Sequence, residues 1–503
     1  MLARLKTTIQ QSFIYSLSNV AAKAVGVILL PLYLHNLTVA AFGVWDLFDT
    51  TIQIIAEIVI LGQASAIIFL NNSQEYKAKK SSTLYTLTIF VLLFSSLLVL
   101  STEVFLFYFP SFITGTIVQA EYVRLASYII LLRVMSNLFF AKVRADEEAK
   151  FYTLISILRV ILIAAFTIFF IAKKQLGILG GLYGFLFAEI IITAILTIKV
   201  IPQMRAKFSK ELLSVALKFG LPLVFSSLGF MLLNLSDRYI IKFLLGAEYV
   251  GIYGLGYRVA GVLNMFLIYP FTLSLLPIAY KYFGQRDDKR LYSKLMTYST
   301  FVFVWGFVFL SLFGPEIVLI FSPQGNYNST FLVIPIILLS YVFSGMRITA
   351  QLGMLLTKNT KYIAWITIFA ALLNIILNFI FIPVYGIIAA AVNTLISFLL
   401  FYYVTLFTSN KYFKIPYENS KIILMISLGS VLASSVYFIS EIKFTNMILK
   451  LFITILFPLI LFVFKFYEKA ELEILLNPSK LKDFLFGLFK SNKNITAEQI
   501  IEE

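Results

Sequence analysis

Ionisable residues inside long apolar runs carry the first chemical information in this sequence, because a charge at bilayer depth is costly and faces water or a partner. Lys23 lies about 12 residues into such a run, roughly 18 Å along a helix. Arg133 and Arg258 lie at about the same depth in two others, about 13 and about 11 residues in. Three cations at one level suit a diphosphate anion, which arginine can also grip through two parallel hydrogen bonds. The same cations suit a quieter role, in which each pairs with a carboxylate and holds helices together. For Lys23 and Arg258 both readings stay open. Arg159 and Glu189, on consecutive runs at depths that can meet, read as a structural pair. Arg347 shares a helix face with Ser340, Ser344 and Gln351, which fits a polar lumen and a packed interface equally.

Acidity is concentrated in one place. Asp46, Asp49, Gln53 and Glu57 follow at steps of three, four and four, so all four point along one helix face that cannot look at lipid. Such a stripe can bind protons or sodium ions, or it can supply counter-charge to Lys23; Glu57, the deepest, is the first candidate for ion coupling, ahead of Asp46 and Asp49. Asn19, Gln53 and Asn234 are expected to face a lumen. Asn374 and Asn378, four apart, read as hydrogen-bonding glue between helices. The chain has no cysteine and a single histidine, His35, in a turn, which excludes thiolate chemistry and histidine-based metal sites or triads. No GxxxxGK[ST] loop is present. The expectation is a protein that is not an enzyme, holds no metal or cofactor, and draws at most on a proton or sodium gradient.

The elements that position these residues are membrane helices. With 60% hydrophobic and 13% charged residues and a mean hydropathy of +0.92 over 503 residues, the chain suits lipid as its solvent. A net charge of +16 would suggest nucleic acid in a soluble protein, but here Lys and Arg fall in short gaps between apolar runs of roughly 20 residues. Fourteen spans are expected, near residues 11–34, 40–70, 82–109, 120–141, 151–172, 178–200, 213–236, 247–280, 295–321, 329–356, 361–382, 384–408, 421–440 and 445–464. Alternate gaps collect the basic residues: Lys77, Lys79 and Lys80; Lys142, Arg144 and Lys150; Lys281, Arg286, Lys289, Arg290 and Lys294. The intervening gaps hold few, among them Arg238 and Lys450. The positive-inside rule then puts both termini in the cytoplasm. The opposite gaps are too short for an external catalytic domain. The tail from residue 469 reads as a surface amphipathic helix and a polar end.

The chain also repeats itself. Shifting it by 208 residues lays Gly43 over Gly251 within Leu37-Thr-Val-Ala-Ala-Phe-Gly and Leu245-Gly-Ala-Glu-Tyr-Val-Gly; a shift of 209 lays Gly177-Ile-Leu-Gly-Gly-Leu over Gly386-Ile-Ile-Ala-Ala-Ala. Six spans separate the copies, so the halves are expected to be parallel six-helix lobes, residues 1–205 and 206–410, around a central cavity. Residues 411–468 would add two peripheral helices.

Phe219-Gly-Leu-Pro-Leu, Asn234-Leu-Ser-Asp-Arg-Tyr-Ile-Ile and Gly251-Ile-Tyr-Gly-Leu-Gly-Tyr-Arg, in this order, resemble the seventh and eighth helices of polysaccharide-repeat flippases. Leu373-Asn374, Leu377-Asn378 and Ile382-Pro-Val-Tyr-Gly-Ile-Ile-Ala-Ala-Ala resemble the eleventh and twelfth. That family sits in the multidrug/oligosaccharidyl-lipid/polysaccharide (MOP) superfamily. The resemblance implies an all-α integral membrane protein of the MATE-like fold in a prokaryotic cytoplasmic membrane. It implies translocation of undecaprenyl-diphosphate-linked oligosaccharide for O-antigen, capsule or exopolysaccharide. Lys23, Arg133, Arg258 and Arg347 would meet the diphosphate. Membrane lipid and glycan polymerase or assembly proteins are the expected partners, nucleic acid is not, and the chain is expected to act as a monomer. A lipid II flippase and a multidrug or cation antiporter are the competing readings within the superfamily; a membrane glycan polymerase is the competitor from another class. The acidic stripe would suit an antiporter, and the three mid-depth cations favour an anionic cargo.

Overall fold

The computed structural model describes residues 26–73, 75–108, 117–322 and 327–468. Lys23, Asn19 and the expected amphipathic tail lie outside them. The described residues contain helices and turns and no strand, as a chain in lipid must if its backbone is to satisfy its own hydrogen bonds. In chain order the helices are α1 (Leu30–Asn36), α2 (Val39–Ile60), α3 (Gln63–Asn72), α4 (Lys80–Tyr108), α5 (Ile117–Ala145), α6 (Ala149–Ile168), α7 (Gly177–Val200), α8 (Lys210–Leu244), α9 (Ala247–Leu263), α10 (Tyr269–Tyr282), α11 (Asp288–Leu312), α12 (Gly314–Phe321), α13 (Ile334–Ala350), α14 (Leu352–Leu356), α15 (Lys361–Tyr412), α16 (Asn419–Ser434) and α17 (Phe444–Val463).

Twelve helical stretches among the described residues are long and apolar enough to cross a membrane. One of them, α15, runs for 52 residues and leaves helical geometry at Gly386, just after Pro383. Each arm is about two dozen residues, enough to span alone. Counting both arms gives thirteen; the expected first span, near residues 11–34, lies mostly outside the described residues, which contain only its short apolar end, Gly26–Asn36. Where α9 continues into α10, a π-turn at Asn264–Ile268 precedes Pro270, a residue with no N–H to give.

The helix pair α2–α3 is the spine of the site. Thr38 caps its start by accepting from the Ala41 N–H at 3.2 Å. The pair breaks at Leu61 and Gly62, both left-handed, with φ of 49° and 71°. It touches the second half of the chain at both ends. Near the start of α2, a Cβ on Gly43 would collide with the Ala247 carbonyl and lie 2.8 Å from the Gly251 nitrogen, while a Cβ on Gly251 would collide with the Val39 carbonyl. Val39 and Ala247 are themselves partners under the 208-residue shift, so the contact is reciprocal. At the other end a Cβ on Gly62 would sit 2.5 Å from the Gly220 carbonyl. The Gly62–Gly220 crossing lies toward the end that carries Lys77, Lys79 and Lys80, the lysine-rich end; the Gly43–Gly251 crossing lies toward the opposite end.

Two ion clusters fasten the last helices. Lys450 of α17 is fully buried and donates to Glu316 of α12 at 2.5 Å. Lys294 of α11 bonds Glu418 at 2.9 Å and also Glu468, with Lys421 3.1 Å from Glu418. Lys450 and Arg238 are therefore not gap charges as the sequence suggested. Helix α8 runs eight residues beyond the expected end at 236 and carries Arg238 into the interior, because carboxylate partners there make a buried charge tolerable.

Candidate functional site

A chamber of about 370 Å³ opens at the level of the acidic stripe, bounded by Asp49, Gln53, Arg133, Arg159 and Arg258 together with the rings of Trp45 and Phe185. Helix α2 delivers the acids, α5 Arg133, α6 Arg159 and α9 Arg258. Arg258 donates from Nε and Nη2 to Asp46 Oδ1 at 3.0 and 2.7 Å, and from Nη2 to Asp49 Oδ2 at 3.0 Å. Arg238 of α8 donates from Nε to the other Asp46 oxygen at 2.7 Å, and its guanidinium lies 4.6 Å from the centre of the Tyr257 ring. Two arginines from the second half of the chain thus close on two aspartates from the first. Room for this is made by Gly254, where a Cβ would fall 2.7 Å from the Asp46 carboxylate.

On the opposite wall Glu189 of α7, with no exposed surface, holds both Arg133, at 3.4 Å, and Arg159, and accepts from the Ser136 hydroxyl at 3.2 Å. The expected Arg159–Glu189 pair is present, but two points change. Glu189 serves two arginines, and Arg159 is not remote from the cavity: it borders this chamber and a second one of about 330 Å³ toward the lysine-rich end, lined also by Glu57, Asn137, Arg144, Tyr152 and Ser156. Glu57 accepts from the Ser227 hydroxyl at 2.7 Å, a contact that again joins the two halves.

The remaining candidates separate from these chambers. Arg347 of α13 is 9% exposed, bonds Gln351 Oε1 at 2.8 Å and has its guanidinium 4.5 and 5.9 Å from the ring centres of Phe401 and Phe230. It borders neither chamber. Asn234 turns its amide back onto the Phe230 carbonyl of its own helix at 2.7 Å. Asp237, which sequence reasoning passed over, is wholly buried: it accepts from Tyr253 at 2.6 Å, Asn378 at 2.7 Å and Thr394 at 2.9 Å, with Asn374 and Asn393 bonded to Asn378. Asn374 and Asn378 therefore do join helices, through a carboxylate. The signal that could have found Asp237 is its place next to Arg238 in a segment one face of which had to be helical. No group of three or more His, Cys, Asp or Glu residues is placed to hold a metal ion among the described residues.

A model of the polysaccharide biosynthesis protein family matches residues 8–283, and one of the MatE family matches residues 222–380. The uncharacterized membrane protein MJ1375 of Methanocaldococcus jannaschii is 27% identical over 248 residues, which is 45% of this chain and 57% of that protein; the matched segment spans little more than half the relative's length. Among solved structures, the lipid II flippase MurJ in an inward closed conformation superposes with a TM-score of 0.68 at 17% identity, over 90% of this chain and 97% of that one. An inward-facing multidrug resistance MATE family transporter gives 0.62 at 15% identity, over 80% and 96%. At such identities the likeness is one of fold.

Proposed function

The chain belongs to the polysaccharide biosynthesis protein family of the MOP superfamily, and on that premise we propose that it is a flippase that carries an undecaprenyl-diphosphate-linked oligosaccharide across a prokaryotic cytoplasmic membrane. The lysine-rich end faces the cytoplasm in this reading, by the positive-inside rule, with residues 1–205 and 206–410 as the moving lobes. The observation that carries it is the arginine-lined chamber whose guanidiniums are paired by carboxylates of the protein itself.

The mechanism follows from that matching. Arg258 needs an anionic partner wherever it is out of water, and Asp46 and Asp49 supply one while pinning the halves together. A diphosphate esterified at both ends carries two negative charges, as Asp46 and Asp49 do together, but holds them on one ligand that can bridge Arg258 and Arg133, so it competes for these arginines and loosens the inter-half pins. Release on the far side lets the aspartates return. The cargo's charge thus does two jobs, binding and unlocking. Coupling, if the flippase is driven, rests on Glu57: unlike Asp46 and Asp49, it has no arginine within ion-pair distance among the described residues.

The test is flipping in proteoliposomes. Arg258→Lys keeps the charge but loses the fork, and is expected to slow translocation of a lipid-linked diphosphate oligosaccharide while the protein still reconstitutes. Arg258→Gln combined with Asp49→Asn preserves charge balance and is expected to be slower still. Wild-type rates in both would remove the chamber from the transport path. Lipid II, which shares the diphosphate, is the second reading, supported by the likeness of the overall fold to the lipid II flippase MurJ (TM-score 0.68, against 0.62 for the MATE transporter); exchanging the sugar on the test substrate separates the two. Running Glu57→Gln under imposed proton and sodium gradients tests coupling, which an unchanged gradient dependence would exclude.

A further inference from the structure

The second chamber has a feature the first lacks. In the mid-membrane chamber each arginine has a carboxylate within ion-pair distance: Arg133 and Arg159 have Glu189, and Arg258 has Asp46 and Asp49. In the inner chamber Arg144 makes no side-chain hydrogen bond or ion pair among the described residues, nor does the Asn137 amide beside it. The one acid among its described lining residues, Glu57, accepts from the Ser227 hydroxyl at 2.7 Å. Every arginine of the mid-membrane chamber is therefore ion-paired, whereas Arg144 of the inner chamber is not, among the described residues.

Helical spacing sets the two chambers along the same helix faces, and they share Arg159. On α5, Arg133, Asn137 and Arg144 are four and then seven residues apart, so they share a face, and the two arginines stand about 17 Å apart along the axis. On α6, Tyr152, Ser156 and Arg159 follow at four and three. On α2, Gln53 and Glu57 follow at four. Arg159 is the member common to both chambers. Toward the lysine-rich end the Gly62–Gly220 crossing closes beside the inner chamber, which Gly62 also lines.

We infer that the inner chamber is a second anion subsite, which takes the phosphate-bearing head of the substrate at Arg144 and Asn137 and passes it to the mid-membrane chamber through Arg159. The inference rests on the flippase reading above for its direction. Arg144 supplies a guanidinium with its full set of donors uncommitted, and Asn137 a neutral donor one helical stretch deeper. Arg159 needs no large movement to serve both chambers, because it borders each of them while paired with Glu189. The ligand class is a diphosphate, which can come on a polyprenyl lipid or free in solution.

The experiment uses the full chain in lipid nanodiscs, titrated by calorimetry with inorganic pyrophosphate and, separately, with a polyprenyl diphosphate. Arg144→Gln is expected to weaken binding on the order of tenfold or more, the scale of a lost charge-assisted hydrogen bond. Arg144→Lys is expected to lose less, and Glu57→Gln to bind tighter because it removes the only opposing charge on the wall. Because Arg144 is exposed and has no partner, Arg144→Gln is expected to elute as a folded monodisperse protein. Weakening with both probes supports a lipid-borne diphosphate; weakening with pyrophosphate alone supports the subsite with soluble phosphate as its source. Unchanged binding of both probes in Arg144→Gln, while Arg258→Gln weakens both, overturns the subsite and leaves the flippase reading standing. No binding of either probe to the wild type overturns both.

Discussion

Replacing Asp46 with asparagine removes the carboxylate that ties two arginines of the second half to the first. Asp46 accepts three hydrogen bonds, at 2.7 Å from Arg238 and at 3.0 and 2.7 Å from Arg258. Removing one partner of a buried ion pair costs roughly 3–5 kcal/mol. The loss does not fall evenly. Arg258 keeps Asp49 at 3.0 Å and a side chain 16% exposed, whereas Arg238 is 5% exposed and has no second carboxylate within ion-pair distance among the described residues, keeping its own helix carbonyl at Asn234, the Tyr257 ring and the more distant charge of Asp237. The cost is therefore the stranding of Arg238, about 3 kcal/mol at the lower end of that range. Adding Arg238→Met removes the stranded charge, and the double variant is expected to recover about 2 kcal/mol, the coupling typical of residues in contact. Unfolding by SDS in mixed micelles measures all three variants against the wild type. Strict additivity of the two single changes, or an Asp46→Asn protein within about 0.5 kcal/mol of the wild type, would refute the reasoning that this carboxylate is the anchor.

Other substitutions probe the rest of the frame. The chain has no cysteine, so a Val39→Cys/Ala247→Cys pair gives a clean disulfide readout of the α2–α9 crossing; Gly43→Ala, whose methyl collides with the Ala247 carbonyl, is expected to lower the cross-linking yield sharply, and full yield would show the crossing to be loose. Asp237→Asn replaces an acceptor of three buried hydrogen bonds with a group that also donates, and is expected to lower stability in detergent by about 1–3 kcal/mol, the cost of a buried polar group left unpaired; an unchanged melting temperature would mean that the network rearranges. At the lysine-rich end, burial alone would raise the pKa of Glu418, but hydrogen bonds from Thr297, Lys294 and Lys421 and the charge of Lys294 outweigh it and hold the carboxyl below its ordinary value of 4.5. Its contribution is then complete above pH 4.5 and lost as the pH falls through the lower folded-state value; Glu418→Gln is expected to flatten the melting temperature against pH in that acid window, and an identical slope would count against the cluster.

Spans were legible because an apolar run long enough to cross lipid is a one-dimensional signal, and the end of α15's first arm at Pro383–Gly386 was legible for the same reason. The acidic face of α2 and the depth of Arg133 and Arg258 followed from helical spacing. Of the partnerships, only Arg159 with Glu189 could be read from matching depth on consecutive spans. That Glu189 holds Arg133 as well as Arg159, or that Asp46 meets Arg238, depends on which helices are neighbours, and no periodicity within one helix encodes that. Arg238 was misplaced for a physical reason: next to a span's end, a charge that belongs to water and one that belongs to a buried pair look identical in sequence. Asp237 was lost with it.

The reciprocal approach of Gly43 and Gly251 has a bearing on ancestry. A contact in which residue i meets j and j meets i is isologous, the kind made by two copies of one subunit about a two-fold axis. A half-length protein pairing with itself would make it with a single glycine, and that glycine could not drift in a fused descendant, since each copy is constrained by the carbonyl opposite the other. Charge follows the contrary rule. Asp46 occupies the space above Gly254, its own counterpart under the 208-residue shift. In a symmetric pair an aspartate there would face an aspartate, so the acid on one side and the arginines on the other are features that only a duplicated and diverged gene could acquire.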